Sequence, residues 1–280
     1  MATASFLHAR QHGGEWLLRI EDIDPPREAP GSADSILRTL ERLDLCWDRE
    51  PLWQRTRLEA HLAAAGDLRR RRLAYYCHCS RQQIRADSGG SRYPGTCRDK
   101  DLPPGNAALR LRLDPGTVCV RDELRGPIRR RIAVEDGDFV IVRRDGWPAY
   151  HLAVVVDDNE QGVTDIVRGA DLLECTPLHA YLQDRLALST PRYWHVPLVT
   201  NAAGEKLSKG AGASAVDTRV PAEAAIRILR LFGLEPPVEL HGARPRELWR
   251  WAQENWSICS LAERPGPIAV DESAARKGDS

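Results

Sequence analysis

The spacing of apolar residues changes along this chain, and each change predicts a different element. After a helix end in MATASFLHARQHGGEW, the stretch GEWLLRI (14–20) is a short apolar run behind a Gly-Gly break. It predicts a strand, halted by the acids and proline pair of EDIDPPR. SADSILRTLERLDL (32–45) carries a Ser cap and places Ile36, Leu37, Leu40 and Leu43 at helical spacing. TRLEAHLAAAGDLRRRRLAYY (56–76) predicts a second helix, whose terminal arginines suit the negative end of its dipole.

From 77 to 135 the residues are rich in Gly, Pro, Cys and Arg, and the period becomes two. AALRLRL, TVCVRDEL and PIRRRIAV read as antiparallel strands, apolar on one face. Beyond 136 the runs DFVIVRR, HLAVVVDD, TDIVRG and YWHVPLV are β-branched, with helical TPLHAYLQDRLAL between some of them. Such runs predict buried parallel strands covered by helices on both faces, hence an α/β fold. PAEAAIRILRLFGL and RPRELWRWAQENW then predict two amphipathic helices, with tryptophans that pack the terminal helices. The chain thus divides into a first core half (1–76), an insert (77–135), a second core half (136–210), a helical end (211–268) and a polar, disordered tail (269–280).

Composition narrows the classes of function. The 280 residues hold 40 Lys+Arg against 40 Asp+Glu, so no global field draws the chain to nucleic acid or membrane, and any basic surface is local. No apolar run approaches the ~20 residues of a membrane span, and the N-terminus has no secretory apolar core. Seven unevenly spaced cysteines point to a reducing cytoplasm rather than a disulfide scaffold.

Four stretches carry candidate chemistry. GEKLSKG (204–210) puts Lys206 and Lys209 on a loop, as phosphate binding or a solvated surface loop would. RIEDIDPPR places three acids after a strand, where Glu21 either holds a substrate ammonium or caps the next helix. Tyr150 is expected to begin a strand that Asp157 and Asp158 end, the pair serving a magnesium site or, more commonly, capping and loop holding. Arg168 follows the next apolar run, well placed to grip a carboxylate through two parallel hydrogen bonds. Cys77, Cys79 and Cys97 suit zinc with one place open for Tyr93 or water, or are ordinary thiols; His78 points away. Cys46, Cys119, Cys175 and Cys259 are expected in packing. The arginine runs 69–72 and 129–131 are solvated faces or RNA contacts.

In this order, RIEDID, AYHLAVVVDD, GVTDIVRGADLL and KLSK resemble the class I glutamyl-tRNA synthetase family, over about residues 5 to 260. The resemblance implies a Rossmann-like parallel sheet, with glutamate, ATP with Mg2+ and tRNA as substrates. Only about seventy residues follow KLSKG, where full-length members carry a long helical anticodon-binding region. Val154 stands where those members usually have asparagine. With the Cys77, Cys79, Tyr93, Cys97 pattern, these features resemble a shortened branch that attaches glutamate to the queuosine base in the anticodon of tRNA(Asp). The resemblance assigns one structural Zn2+ to those four residues. It brings Lys206 and Lys209 to the triphosphate of ATP, with Lys209 on phosphate, as glutamate's carboxylate attacks the α-phosphorus. It pairs Glu21 with the α-ammonium and gives glutamate's carboxylates to Tyr150 and Arg168. Related enzymes are monomers, act in the cytoplasm and form no covalent enzyme intermediate.

The N-terminus departs from that pattern. Relative to the family, the first sheet strand, an arginine-bearing FAPSP-like turn and a HIGH-like motif are absent before MATASFLHARQHGGEW. The expectation is therefore an N-terminally truncated enzyme that folds weakly and does not form adenylate as it stands. The alternative is a non-catalytic RNA-binding relic.

Overall fold

The structure is a computed structural model that describes every residue except 25–27, 91, 202–203, 205, 207–215, 264–265 and 271–280. α1 (Ala2–Gln11) leads into β1 (Arg19–Ile20), α2 (Ser32–Arg42), β2 (Leu52–Trp53), α3 (Leu58–Arg70), β3 (Ala74–Cys77) and α4 (Arg81–Ser88). Then come β4 (Ala108–Leu111), β5 (Val118–Asp122), β6 (Gly126–Arg130), α5 (Ile132–Glu135) and β7 (Val140–Val142). α6 (Tyr150–Glu160), β8 (Asp165–Gly169), α7 (Thr176–Arg185), β9 (Arg192–Val196) and β10 (Val199–Asn201) follow. α8 (Pro221–Leu231), α9 (Pro245–Asn255) and β11 (Ile268–Val270) end the described chain.

The main sheet has the order β6-β5-β9-β8, with β8 and β5 parallel to β9 and β6 antiparallel to β5. A second, antiparallel sheet runs β3-β4-β7. Parallel pairs β1-β2 and β10-β11 stand apart. Main-chain pairing therefore ties the stretch 77–135 into both larger sheets, since Asp122 of β5 faces Tyr193 of β9 while β4 joins β7. β11 pairs β10 at Ile268–Val270, two residues past the start of the expected tail.

One expected strand is a helix. HLAVVVDD forms most of α6, and Leu152, Ala153, Val154 and Val155 are all buried. A helix buried on every side shows no 3.6-residue alternation, so its apolar run is indistinguishable from an inner strand, and packing overrides the strand preference of three valines. The strand in GEWLLRI pairs only at Arg19–Ile20. α2 is capped by Gly31 in the left-handed conformation (φ 74°), with Ser32 already helical. Ile36 is 53% exposed, whereas Leu40 and Leu43 of the same expected face are buried. Cys46, Cys119 and Cys259 are exposed rather than packed.

Two apolar cores hold the layers. α1, α2, α8 and α9 pack around Leu7, Leu40, Leu229 and Trp249. Trp249, as expected of the terminal tryptophans, is fully buried and donates its indole N–H to the Leu43 carbonyl at 2.6 Å. Leu68 of α3, Leu152 of α6 and Leu182 of α7 close over Leu111 and Ile141 of the antiparallel sheet. Each such side chain contributes about 1.5–3 kcal/mol of burial. Between residues 16–19 and 163–167, beside α1, lies a cavity of about 680 Å³. Among the described residues β1 pairs only with β2, and β8 only with β9, so each presents an unpaired side.

Candidate active site and thiolate cluster

Parallel sheets open binding space at the C-terminal ends of their strands, and Arg168 stands one residue from the end of β8. The β8–β9 register sets Arg168 opposite His195 on the neighbouring strand. The Arg168 guanidinium is buried and its Nε donates to His195 Nε2 at 3.0 Å. Its Nη1 lies 3.2 Å from His179 Nδ1, and its Nη2 donates to the Thr176 hydroxyl at 2.8 Å and the Leu172 carbonyl at 3.4 Å. Thr176 and His179 come from the first turn of α7. Behind them Asp122, at the end of β5, meets His195 Nδ1 at 2.6 Å, and His151 Nδ1 meets His179 Nε2 at 3.0 Å. Burial and then the Arg168 charge hold His179 well below its usual 6.5, and the same causes bring His151 down to about 4. Both imidazoles are neutral near pH 7.

Tyr150 opens α6 and is half-buried, and the charges of Arg168 and Glu21 contribute at its phenol. Burial pushes that phenol up to about 12, so it is a neutral donor. Glu21 lines the cavity, with 44% of its side chain open and protein around the rest. Desolvation raises its carboxyl, against the pull of Arg19 at 3.4 Å. Arg19 is already engaged by Asp158 at 2.6 Å and Gln161 at 3.2 Å. The neighbouring Asp157 is fully buried and accepts from Gln54 and from His61, each at 2.9 Å, with Arg57 at 3.4 Å. The aspartate pair thus ties α6 to β1 and α3, the loop-holding alternative, and both carboxylates are occupied by protein partners.

The thiols form the second site. The Sγ atoms of Cys77, Cys79 and Cys97 lie within 4.8 Å of one another, with Cys79 and Cys97 3.4 Å apart. Bonds of 2.3 Å in a tetrahedron put sulfurs roughly 3.8 Å apart, so the donor set fits one zinc ion. The Tyr93 hydroxyl accepts from the Cys97 amide at 2.7 Å, and its pKa is raised by burial and then by hydrogen bonding to Cys77 and Cys97. It therefore sits against the cluster, while His78 turns away to the Pro103 carbonyl at 3.1 Å. Burial, then the contact with Cys97, pushes the Cys79 thiol up to about 11, a cost that a cation would reverse. Arg110 stacks on the Tyr93 ring at 3.9 Å and donates to the Asp138 carbonyl at 2.8 Å. Gly137 has φ 72°, and a Cβ there would come 2.5 Å from the Tyr93 carbonyl, so only glycine fits.

Lys206 pairs with Asp171 at 2.6 Å, and Lys209 lies outside the described residues. Arg69 meets Asp101, and Arg70 and Arg71 meet Asp67, as a solvated face would. Of the 129–131 run, Arg130 meets Asp136 at 2.8 Å. The sequence reading gathered Glu21, Tyr150 and Arg168 but missed Asp122, His195, Thr176, His179 and His151. The signal available was polar residues inside apolar runs, His195 in YWHVPLV above all.

The fold and this site define a class I synthetase catalytic domain. A model of the family "tRNA synthetases class I (E and Q), catalytic domain" matches residues 1–255, and the chain belongs to that family. Its curated relatives include a glutamyl-Q tRNA(Asp) synthetase of Aromatoleum aromaticum, 48% identical over 96% of this chain and 88% of that protein. Another, from Chromobacterium violaceum, is 48% identical over 94% of this chain and 90% of that one. Among solved structures, a glutamate tRNA ligase from Elizabethkingia meningosepticum, in complex with its amino acid, aligns with TM-score 0.65 and 25% identity, over 76% of this chain and 47% of that one. A glutamate-tRNA synthetase from Elizabethkingia anophelis shares the fold at TM-score 0.78 and 22% identity, over 98% of this chain and 65% of that one. Against those longer solved chains the protein spans about half to two thirds.

Proposed function

We propose that this protein activates glutamate with ATP and Mg2+ to glutamyl-adenylate and transfers the glutamyl group to queuosine in the anticodon of tRNA(Asp). The observation that carries the reading is 48% identity over nearly the whole chain to proteins named for that reaction, and the buried Arg168 at the end of β8 supports it. Glu21 takes the α-ammonium, while Arg168 and Tyr150 take a carboxylate. Glutamate has a second carboxylate, and a buried unpaired one is costly, so a second cation is required. Arg19 is engaged elsewhere. Lys206 reaches the triphosphate only after leaving Asp171, and a surface pair of that kind costs about 0–1 kcal/mol to break. Lys209 is assigned to phosphate, where charge builds as pyrophosphate departs.

One zinc ion, held by Cys77, Cys79, Cys97 and Tyr93, completes the reading as a structural ion. The three clustered sulfurs and the Tyr93 hydroxyl support it. Free cysteines throughout are consistent with a cytoplasmic setting, and no described helix is long and apolar enough to cross a membrane. Nothing among the relatives favours a non-catalytic module. The test is glutamate-dependent exchange of pyrophosphate into ATP by the purified protein, followed by glutamylation of tRNA(Asp) with and without queuosine. Exchange with glutamate and charging only of the queuosine form are expected. Exchange with another amino acid, or charging indifferent to queuosine, would overturn the assignment.

A further inference from the structure

Arginine offers five N–H bonds and accepts none, so the number left over after protein partners decides how it can meet a ligand. For Arg168, Nε serves His195, both bonds of Nη2 serve Thr176 and Leu172, and one bond of Nη1 serves His179. A single N–H on Nη1 remains. The two-bond grip expected from the sequence is therefore not available to this guanidinium as it is held.

The same contacts fix the neighbouring imidazoles. Because Arg168 can only donate, His195 Nε2 and His179 Nδ1 must both be lone pairs. His195 then carries its proton on Nδ1, which is the atom that meets Asp122. His179 carries its proton on Nε2 and donates to His151 Nδ1. The Thr176 hydroxyl accepts from Nη2 at 2.8 Å and lies 3.2 Å from His195 Nε2, whose one lone pair already takes Arg168 Nε. Asp122 is itself fixed, accepting the amides of Leu124 at 3.0 Å, Arg125 at 2.7 Å and His195 at 3.1 Å. The tautomers of His195 and His179 are thus both set by Arg168, with Asp122 fixing His195 from behind.

We infer that Asp122, acting through His195, together with Thr176 and His179, are positioning residues that orient Arg168 so that one N–H of Nη1 meets the substrate carboxylate. The inference deepens the proposed glutamate site and rests on that reading. Asp122→Asn keeps the shape but permits the other His195 tautomer, which sets one donor against another at Arg168. Thr176→Val keeps the volume and removes the acceptor, whereas Thr176→Ser keeps it.

The test measures glutamate affinity on the full chain, by calorimetry and by the KM in pyrophosphate exchange, beside the KM for ATP. Asp122→Asn and Thr176→Val are expected to weaken glutamate by about tenfold, the effect of one lost acceptor at a charged donor, with ATP affinity unchanged. Thr176→Ser should return glutamate affinity to about the wild-type level. Equal losses for glutamate and ATP, or a Thr176→Val protein that binds glutamate normally, would overturn the inference. If Asp122→Asn does not fold, the Val and Ser pair at 176 decides. Arg168→Ala separates the two levels. Normal glutamate binding in that variant removes the site itself, whereas weakened binding there with normal Thr176→Val and Asp122→Asn removes only the positioning role.

Discussion

The thiolate cluster and the arginine cage both bury groups that carry or attract charge, yet they are built over very different distances along the chain. Cys77, Cys79, Tyr93 and Cys97 come from one stretch of 21 residues, joined by a short helix with a Ser80–Gln83 capping box. Asp122, Arg168, Thr176, His179 and His195 come from three strands of one sheet and the first turn of a helix laid on it. The cluster brings three sulfurs together without a cation of its own. The cage brings its own cation and surrounds it with lone pairs. The first is set by local spacing, and the second depends on sheet register.

The largest expected effect separates the two by metal. Cys79→Ser should abolish bound zinc, measured by elemental analysis of the purified protein. It should also lower the melting temperature by more than about 10 °C, because structural zinc contributes on the order of 10 kcal/mol. An unchanged melt together with no metal in the parent would make the cluster ordinary thiols. Next, Arg168→Ala should raise the KM for glutamate about a hundredfold and cost about 1–3 kcal/mol of stability, since a charged donor is lost and the buried acceptors His195, Thr176 and His179 are left unpaired. An unchanged KM would put the amino acid elsewhere. Gly137→Ala should destabilise the protein by about 1–3 kcal/mol in urea unfolding, through a left-handed backbone and a clash with Tyr93. No loss would mean that the junction yields.

Acid should act on the cage through its buried histidines. His151 is held neutral down to about 4, while the unfolded chain takes up the proton at its usual 6.5. Between those values the unfolded state binds more protons, so stability falls as pH drops, by about 1.4 kcal/mol per pH unit for each such histidine. His179 adds to the fall in the same direction. Denaturant midpoints at pH 7, 6 and 5 should show the slope, and His151→Gln should flatten it. The smallest effect belongs to the exposed pair of Lys206 and Asp171, where Asp171→Asn should change stability by less than about 1 kcal/mol.

Legibility followed the same divide. Cysteine spacing, the acids after GEWLLRI and the position of Arg168 after an apolar run are local patterns, and the cysteine spacing led to three sulfurs that meet in space. Tyr150 begins its run whether that run is read as a strand or, as it is, a helix. The partners of Arg168 left no local trace. His195 is chosen by its register opposite Arg168, and Asp122 by the turn that ends β5, so neither is visible before the sheet is assembled. Asp157 shows the same limit, since its partners Gln54 and His61 lie about a hundred residues earlier.

Gly137 links the two regions mechanically. It abuts Tyr93, and the next residue, Asp138, takes hydrogen bonds from Tyr75 and from the Leu113 amide at 2.8 Å. β7 begins two residues later, and its Ile141 carbonyl accepts the Ala149 amide at 2.9 Å, immediately before Tyr150. A short hydrogen-bonded stretch therefore runs from beside the sulfurs to the turn before Tyr150. A disturbance at the cluster should be felt at Tyr150 as well.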